Sequence, residues 1–222
     1  HWRVSVDDGE CIEAEAVVVT AHGQAALQLL GPIDADLEDN LSLIPSAPVA
    51  VVNLGFAPGS VPHPLDGFGY LIPSSEGGSV LGVKWTTSIF PQGRAPEDHT
   101  LMQVFVGGTR GPDLVTDLDG VLSAARAEIL QTLGIHDEPV HVRIFPHHAG
   151  ISQYTSGHAS RVAAVETVLE RHQGLFLAGT TLHGVGINAV TTQSEAVAEA
   201  LISGLSPTFS GQSELSVVRH PA

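Results

Sequence analysis

The residues best equipped for chemistry lie between positions 174 and 189, where the apolar run Leu175-Phe176-Leu177-Ala178 gives way to Gly179 and then to Gly184, Val185, Gly186, Ile187, Asn188 and Ala189. Glycines at 184 and 186 remove side chains, so a flat ligand can approach the backbone closely. A last helix, expected from about residue 189 to 203, would aim its free N–H groups and the positive end of its dipole at that ligand. An anionic or electron-accepting ring edge is what such a turn would stabilise. The plain alternative is a tight strand-to-helix turn whose glycines serve only its φ angles. Gly184, Gly186 and Ala189 also fit G-x-G-x-x-G/A, the dinucleotide fingerprint. Its context is wrong, because that motif follows the first strand of a βαβ unit and needs an acidic residue about 20 positions on. Here a single helix follows before a polar tail.

Other chemistries find less support. Of the 12 histidines, His147 and His148 are adjacent, and neighbours on a strand point to opposite faces. No H-x-x-x-H or H-x-H spacing marks a metal site, and no G-x-S-x-G elbow marks a serine nucleophile. Cys11 sits between Glu10 and Glu13, where acidic neighbours disfavour the thiolate, so it is expected to be inert. The glycine-aromatic segment 67–76 reads by itself as a strand entering a turn. Gly107 and Gly108 permit close approach of another backbone or of a ligand. His183 adjoins the 184–189 turn, but no paired carboxylates stand out as an acid–base dyad.

Composition narrows the field. Nine Lys plus Arg against 24 Asp plus Glu give a formal charge of −15, and Lys84 is the only lysine. Phosphate backbones need clustered cations, so nucleic acid is not an expected partner, and a polybasic membrane patch is absent on the same ground. No run of about 18 apolar residues offers a membrane span. A single cysteine allows no internal disulfide. The chain therefore reads as a soluble intracellular protein, and 43% apolar content is ample for a core.

The elements that must position the turn are mixed in type. Residues 1–6 and 12–20 read as strands around a turn at 7–10, with Val17-Val18-Val19 apolar enough for burial on both faces. Residues 21–30 form a short helical or irregular link. Short strands are expected at 49–56, 68–72, 80–85 and 101–106, spaced as in an antiparallel sheet. Residues 117–133 form the clearest helix, with Asp117 and Asp119 at its start, Val121, Leu122, Ala125, Ile129 and Leu133 on one stripe, and Gly134 as its stop. A strand at 140–145, a helix at 160–171 and a buried strand at 175–178 lead to the glycine turn. The pattern predicts that the first and last thirds fold together around an inserted middle.

Several segments, taken in order, resemble the oxygen-dependent protoporphyrinogen oxidases and their relatives that act on coproporphyrinogen III. They are residues 49–54, Gly67-Phe68-Gly69-Tyr70-Leu71-Ile72-Pro73-Ser74-Ser75-Glu76, residues 80–83, Ser88-Ile89-Phe90-Pro91 and Gly107-Gly108, then Gln153-Tyr154, Gly157-His158, and Leu175 through Gly179 leading to Gly184 through Asn188. The resemblance covers about residues 1–204. It implies an α/β (mixed α+β) flavoenzyme of the amine-oxidase type: the C-terminal part of a Rossmann-like FAD-binding domain with an inserted, mainly antiparallel substrate domain. In domain terms, residues 1–35 and 140–205 belong to the FAD-binding domain, 36–139 to the substrate domain, and 206–222 to a disordered tail.

In that family FAD takes hydrogen from a porphyrinogen in repeated two-electron steps, six electrons in all, and molecular oxygen reoxidises the flavin to give hydrogen peroxide. Carried over by residue, Val185, Gly186 and Ile187 contact FAD, with Gly179 and Asn188 as neighbours. No residue is nominated as catalytic, and none as a metal ligand. Three positions depart from the family pattern: Thr180 where Asn is usual, Ala189 where Asp is usual, and Ser152 where Pro is usual. The family's pyrophosphate-cradling G-x-G-x-x-G lies near the N-terminus of a chain about twice this long, so the resemblance implies a C-terminal portion that binds FAD weakly, or not at all, and is inactive by itself. A tetrapyrrole and oxygen are the implied partners. A cytoplasmic location follows, with peripheral membrane attachment through an upstream segment and a homodimer left open. The competing readings are another FAD-dependent amine oxidase or desaturase, and a non-catalytic interaction domain.

Overall fold

Residues 1–6, 9–204 and 213–217 are described in a computed structural model. The chain begins with strands β1 (Trp2–Val6), β2 (Cys11–Ala14) and β3 (Val17–Val19), then helices α1 (Gly23–Leu30) and α2 (Ala35–Ser42). The middle holds β4 (Ser46–Phe56), β5 (Gly69–Leu71), β6 (Val80–Trp85), the one-turn helix α3 (Thr86–Ile89), β7 (Thr100–Gly107), α4 (Leu118–Leu133) and β8 (His141–Ser152). Helix α5 (His158–Leu169), β9 (Leu175–Leu177), α6 (Ile187–Gly204) and β10 (Ser213–Val217) complete it. Contacts divide the chain into two compact units, His1–Ser46 with Ile151–Ala222, and Ala47–Gly150.

The middle unit is a five-stranded sheet in the order β5-β6-β7-β4-β8. Its β5/β6, β6/β7 and β4/β7 pairs are antiparallel, as the spacing of short strands predicted. Alternation decides which face is covered. Val52, Leu54, Phe56, Met102, Val104 and Val106 are fully buried against Val121, Ala125 and Ile129 of α4. Asp117 caps that helix by accepting a hydrogen bond from the Gly120 N–H at 3.0 Å, and Gly134 ends it in the left-handed conformation. Gly69 carries a φ of +131°, and a Cβ there would lie 2.0 Å from the Val83 carbonyl oxygen. Gly69 is thus required by the pairing of β5 with β6. The odd-numbered residues of β4 and β7 face the other way, where Ala47 and Val49 are buried and Val51, Asn53, Gln103 and Phe105 are half-buried.

In the outer unit β3 and β9 pair in parallel, Val17 with Leu175 and Val19 with Leu177. Leu175 and Leu177 pack with Leu30, Leu37, Leu41, Val162 and Val165 of the neighbouring helices. Val17–Val19 is not buried on both faces as expected: its partner among the described residues is β9, and Val18 remains 37% exposed. The expected strand at 12–20 is broken after Ala14. Helix α2 was not read from the sequence. Asp34 caps it by accepting from the Asp36 N–H at 2.9 Å, and His172 holds the same carboxylate at 2.7 Å. The division drawn before residue 36 therefore meets a helix that packs on α5 in the outer unit. Strand β8 runs on to Ser152, well past the expected 145, as an exposed strand beside β4. Of the expected disordered tail, Ser213–Val217 pairs in parallel with β1, and residues 205–212 and 218–222 lie outside the described residues.

Candidate functional site

Strand β9 ends where the Ala178 N–H donates to the Val19 carbonyl at 2.9 Å, and the chain then turns through residues 179–186 into α6. The inner side of this turn is packed and tied down. Thr181 and Leu182 are buried. The Tyr154 hydroxyl donates to the Thr180 carbonyl at 2.7 Å and accepts from the Gly184 N–H at 2.7 Å. His158 stacks on the Tyr154 ring, with centroids 3.9 Å apart and planes at 13°, and its Nε2 meets the Leu182 carbonyl at 2.8 Å. His183 pairs with Glu166 at 2.8 Å on the surface of α5, so its ring is engaged by a carboxylate.

The outer side is open. Val185 is 50% and Ile187 85% exposed, and Gly186 and Asn188 are exposed beside them. Gly184 is required by the fold: its φ is +131°, and a Cβ would lie 2.5 Å from the Ala189 Cβ. Gly186 differs, because a Cβ added there meets nothing within 4 Å. The helix ladder begins with the Val190 N–H donating to the Gly186 carbonyl at 3.0 Å. The N–H groups of Ile187, Asn188 and Ala189 precede that bond, at the positive end of an 18-residue helix with no acidic residue in its first turn. Val185, Gly186, Ile187 and Asn188 thus lie together on one open edge. Gly179 does not join them: it sits half-buried at the end of β9, where its N–H donates to the Gln193 side chain at 3.1 Å.

Tyr154 and His158 had no functional role in the sequence reading, since their contacts reach across 24 to 30 residues of chain. A second surface was also missed. Around β5 and β6, Phe68, Gly69, Tyr70, Leu71, Gly82, Val83, Lys84 and Phe105 line a hollow of about 400 Å³. Phe68 is 76% and Leu71 86% exposed there, and Lys84 forms no ion pair among the described residues. The signal was the strand alternation itself, which places Lys84 opposite the covered face. Among the described residues no group of three His, Cys, Asp or Glu side chains is placed to hold a metal ion, and no helix is long and apolar enough to cross a membrane.

Comparison with known proteins sets these features in context. Residues 2–202 match the family model described as flavin containing amine oxidoreductase. The coproporphyrinogen III oxidase of Bacillus subtilis (strain 168) is 29% identical over 204 residues, which is 90% of this chain and 43% of that protein. The protoporphyrinogen oxidase of Homo sapiens is 31% identical over 194 residues, 85% of this chain and 40% of that one. The crystal structure of an Exiguobacterium sp. 255-15 protein carrying a provisional protoporphyrinogen oxidase name superposes with a TM-score of 0.72 at 25% identity, covering 88% of this chain and 42% of that one. The chain therefore spans less than half the length of these relatives. By the extent of the family match and by the mixed α/β fold that positions this turn, the chain belongs to the flavin containing amine oxidoreductases.

Proposed function

We propose that this chain is part of an oxygen-dependent porphyrinogen oxidase, and that its 185–188 edge receives the pyrimidine end of FAD. The open edge itself carries the reading: Gly186 leaves space where a Cβ would stand, the amides of 187–189 precede the first helix-ladder bond beside it, and the packed side of the turn holds it in place. These residues fit a flavin. A planar ring needs a backbone approach free of side chains, and reduced flavin gathers negative charge near N1 and the C2 carbonyl, where helix-start amides stabilise it. Bound there, FAD would take hydrogen from a porphyrinogen two electrons at a time and pass it to oxygen. Val185 and Ile187 would cover the ring edge with apolar surface and keep water from it.

The relatives' names, coproporphyrinogen III oxidase and protoporphyrinogen oxidase, support a tetrapyrrole as the substrate class. The hollow around β5 and β6 offers a matching chemistry. Phe68, Leu71 and Phe105 give an apolar platform for a flat macrocycle, and Lys84 gives an ammonium for one of its carboxylates. The FAD pyrophosphate site would come from sequence beyond these residues, in line with the share of the relatives' length that they span. A cytoplasmic setting is part of the same proposal.

The test is the protein of the complete reading frame that contains this sequence, assayed with coproporphyrinogen III, protoporphyrinogen IX and a simple amine. Oxygen-dependent appearance of porphyrin fluorescence with either porphyrinogen supports the reading. Turnover of the amine with neither porphyrinogen oxidised overturns it.

A further inference from the structure

Tyr154 and His158 lie one helical turn apart in sequence, yet only His158 is in the helix. The chain between them doubles back, with the Thr155 N–H donating to the Gln153 carbonyl at 3.0 Å and the His158 N–H to the Thr155 carbonyl at 3.0 Å. That turn lays the two rings face to face, 3.9 Å apart.

Hydrogen-bond polarity then fixes each polar atom. A carbonyl only accepts and an amide N–H only donates. The single proton of the Tyr154 hydroxyl must therefore point at the Thr180 carbonyl, and its lone pair must take the Gly184 N–H. By the same logic His158 carries its proton on Nε2, facing the Leu182 carbonyl, while Nδ1 is buried without a hydrogen-bond partner among the described residues. Two side chains from outside the turn thus bind three of its backbone groups, at alternate residues 180, 182 and 184. Immediately after the last of these come Val185, Gly186 and Ile187, which are exposed. Their placement is inherited from Gly184.

We propose that Tyr154 and His158 are positioning residues: the stacked pair sets the 180–184 backbone and so fixes how the 185–187 edge and the α6 amides meet a flavin. The flavin part rests on the function proposed above. The clamp itself rests only on the geometry of the outer unit.

The test uses the protein of the complete reading frame and two readouts. Tyr154→Phe keeps the ring stack and removes both hydroxyl hydrogen bonds. Amide hydrogen exchange of residues 179–187 should quicken, and the FAD dissociation constant should rise about tenfold, the effect of losing two hydrogen bonds of ordinary strength. At saturating FAD the flavin midpoint potential should move to more negative values, because the amides that favour the anionic reduced form are held less well. His158→Gln, which keeps a donor for the Leu182 carbonyl, should retain more FAD affinity than His158→Ala. The melting temperature of each variant reports whether it folds, and where the Ala variant does not, His158→Gln is compared with the parent and should bind FAD nearly as tightly. Unchanged exchange in Tyr154→Phe overturns the clamp. Faster exchange with unchanged FAD affinity and potential overturns its positioning role. Faster exchange in a protein that binds no flavin in either form overturns the flavin reading and the positioning role with it, while leaving the clamp.

Discussion

Valine at position 186 separates a turn that needs glycine only for its backbone from one that seats a ring edge. In the structure a Cβ on Gly186 meets nothing within 4 Å, so the free protein has room for the larger side chain. An exposed substitution of this kind changes stability by about 0.5 kcal/mol or less. Gly184→Ala is the internal control, because its φ of +131° and a Cβ placed 2.5 Å from that of Ala189 force strain of about 1–3 kcal/mol. At about 2.1 cal/mol/K of unfolding entropy per residue, the melting temperature of a protein about twice this long should fall by about 1 °C for each kcal/mol lost. A flavin edge lying on residue 186 would be overpacked by the valine at a cost of about 1–3 kcal/mol, weakening FAD binding about 5- to 150-fold. The assay is a thermal melt beside a fluorescence titration with FAD, on the protein of the complete reading frame. Gly186→Val should melt with the parent and bind FAD poorly. A variant that binds FAD as tightly as the parent, or that loses as much stability as Gly184→Ala, refutes the reasoning.

Three further outcomes follow from particular contacts. Asp117→Ala removes the cap of α4 and should cost about 1 kcal/mol in chemical denaturation; no change would remove Asp117 from the account of that helix. The His172 hydrogen bond, and after it the Asp36 N–H, hold the Asp34 carboxyl below the ordinary carboxylate range. A lowered folded-state pKa means its contribution is complete above the ordinary Asp value of about 3.9 and is lost as pH falls through the lower folded value. The stability difference between parent and Asp34→Asn should therefore shrink on acidification in that window, and a difference that grows instead would reverse the sign. If the proposed substrate face is right, Lys84→Gln should raise KM for coproporphyrinogen III about three- to tenfold at low salt and leave kcat unchanged, since the ammonium would hold a carboxylate rather than the reacting atoms; an unchanged KM removes Lys84 from the substrate face.

The parts of the fold legible in the sequence are those whose partners lie nearby or whose pattern is strict. Strand β6 and helix α4 were readable because Val83 and Trp85 alternate toward a covered face and because Asp117 and Gly134 mark both ends of the helix. Helix α2 was not, since its eight residues carry four acidic or amide side chains and only Leu37 and Leu41 face the core. Val17–Val19 looked like an interior strand because its run is wholly apolar, but burial depends on neighbours, and β9 is supplied from the far end of the chain. The open edge at 185–188 was legible through its glycines and the helix that follows. What holds it was not, because the roles of Tyr154 and His158 exist only in contacts made after folding.

A flavin site at the 185–188 edge that serves porphyrinogen oxidation would show itself in the visible spectrum of the complete protein with one equivalent of FAD. We expect a protein-bound flavin band at about 450 nm that bleaches when coproporphyrinogen III or protoporphyrinogen IX is added without oxygen and returns on admitting air. A protein that stays free of flavin, or a bound flavin that neither porphyrinogen reduces, would contradict it.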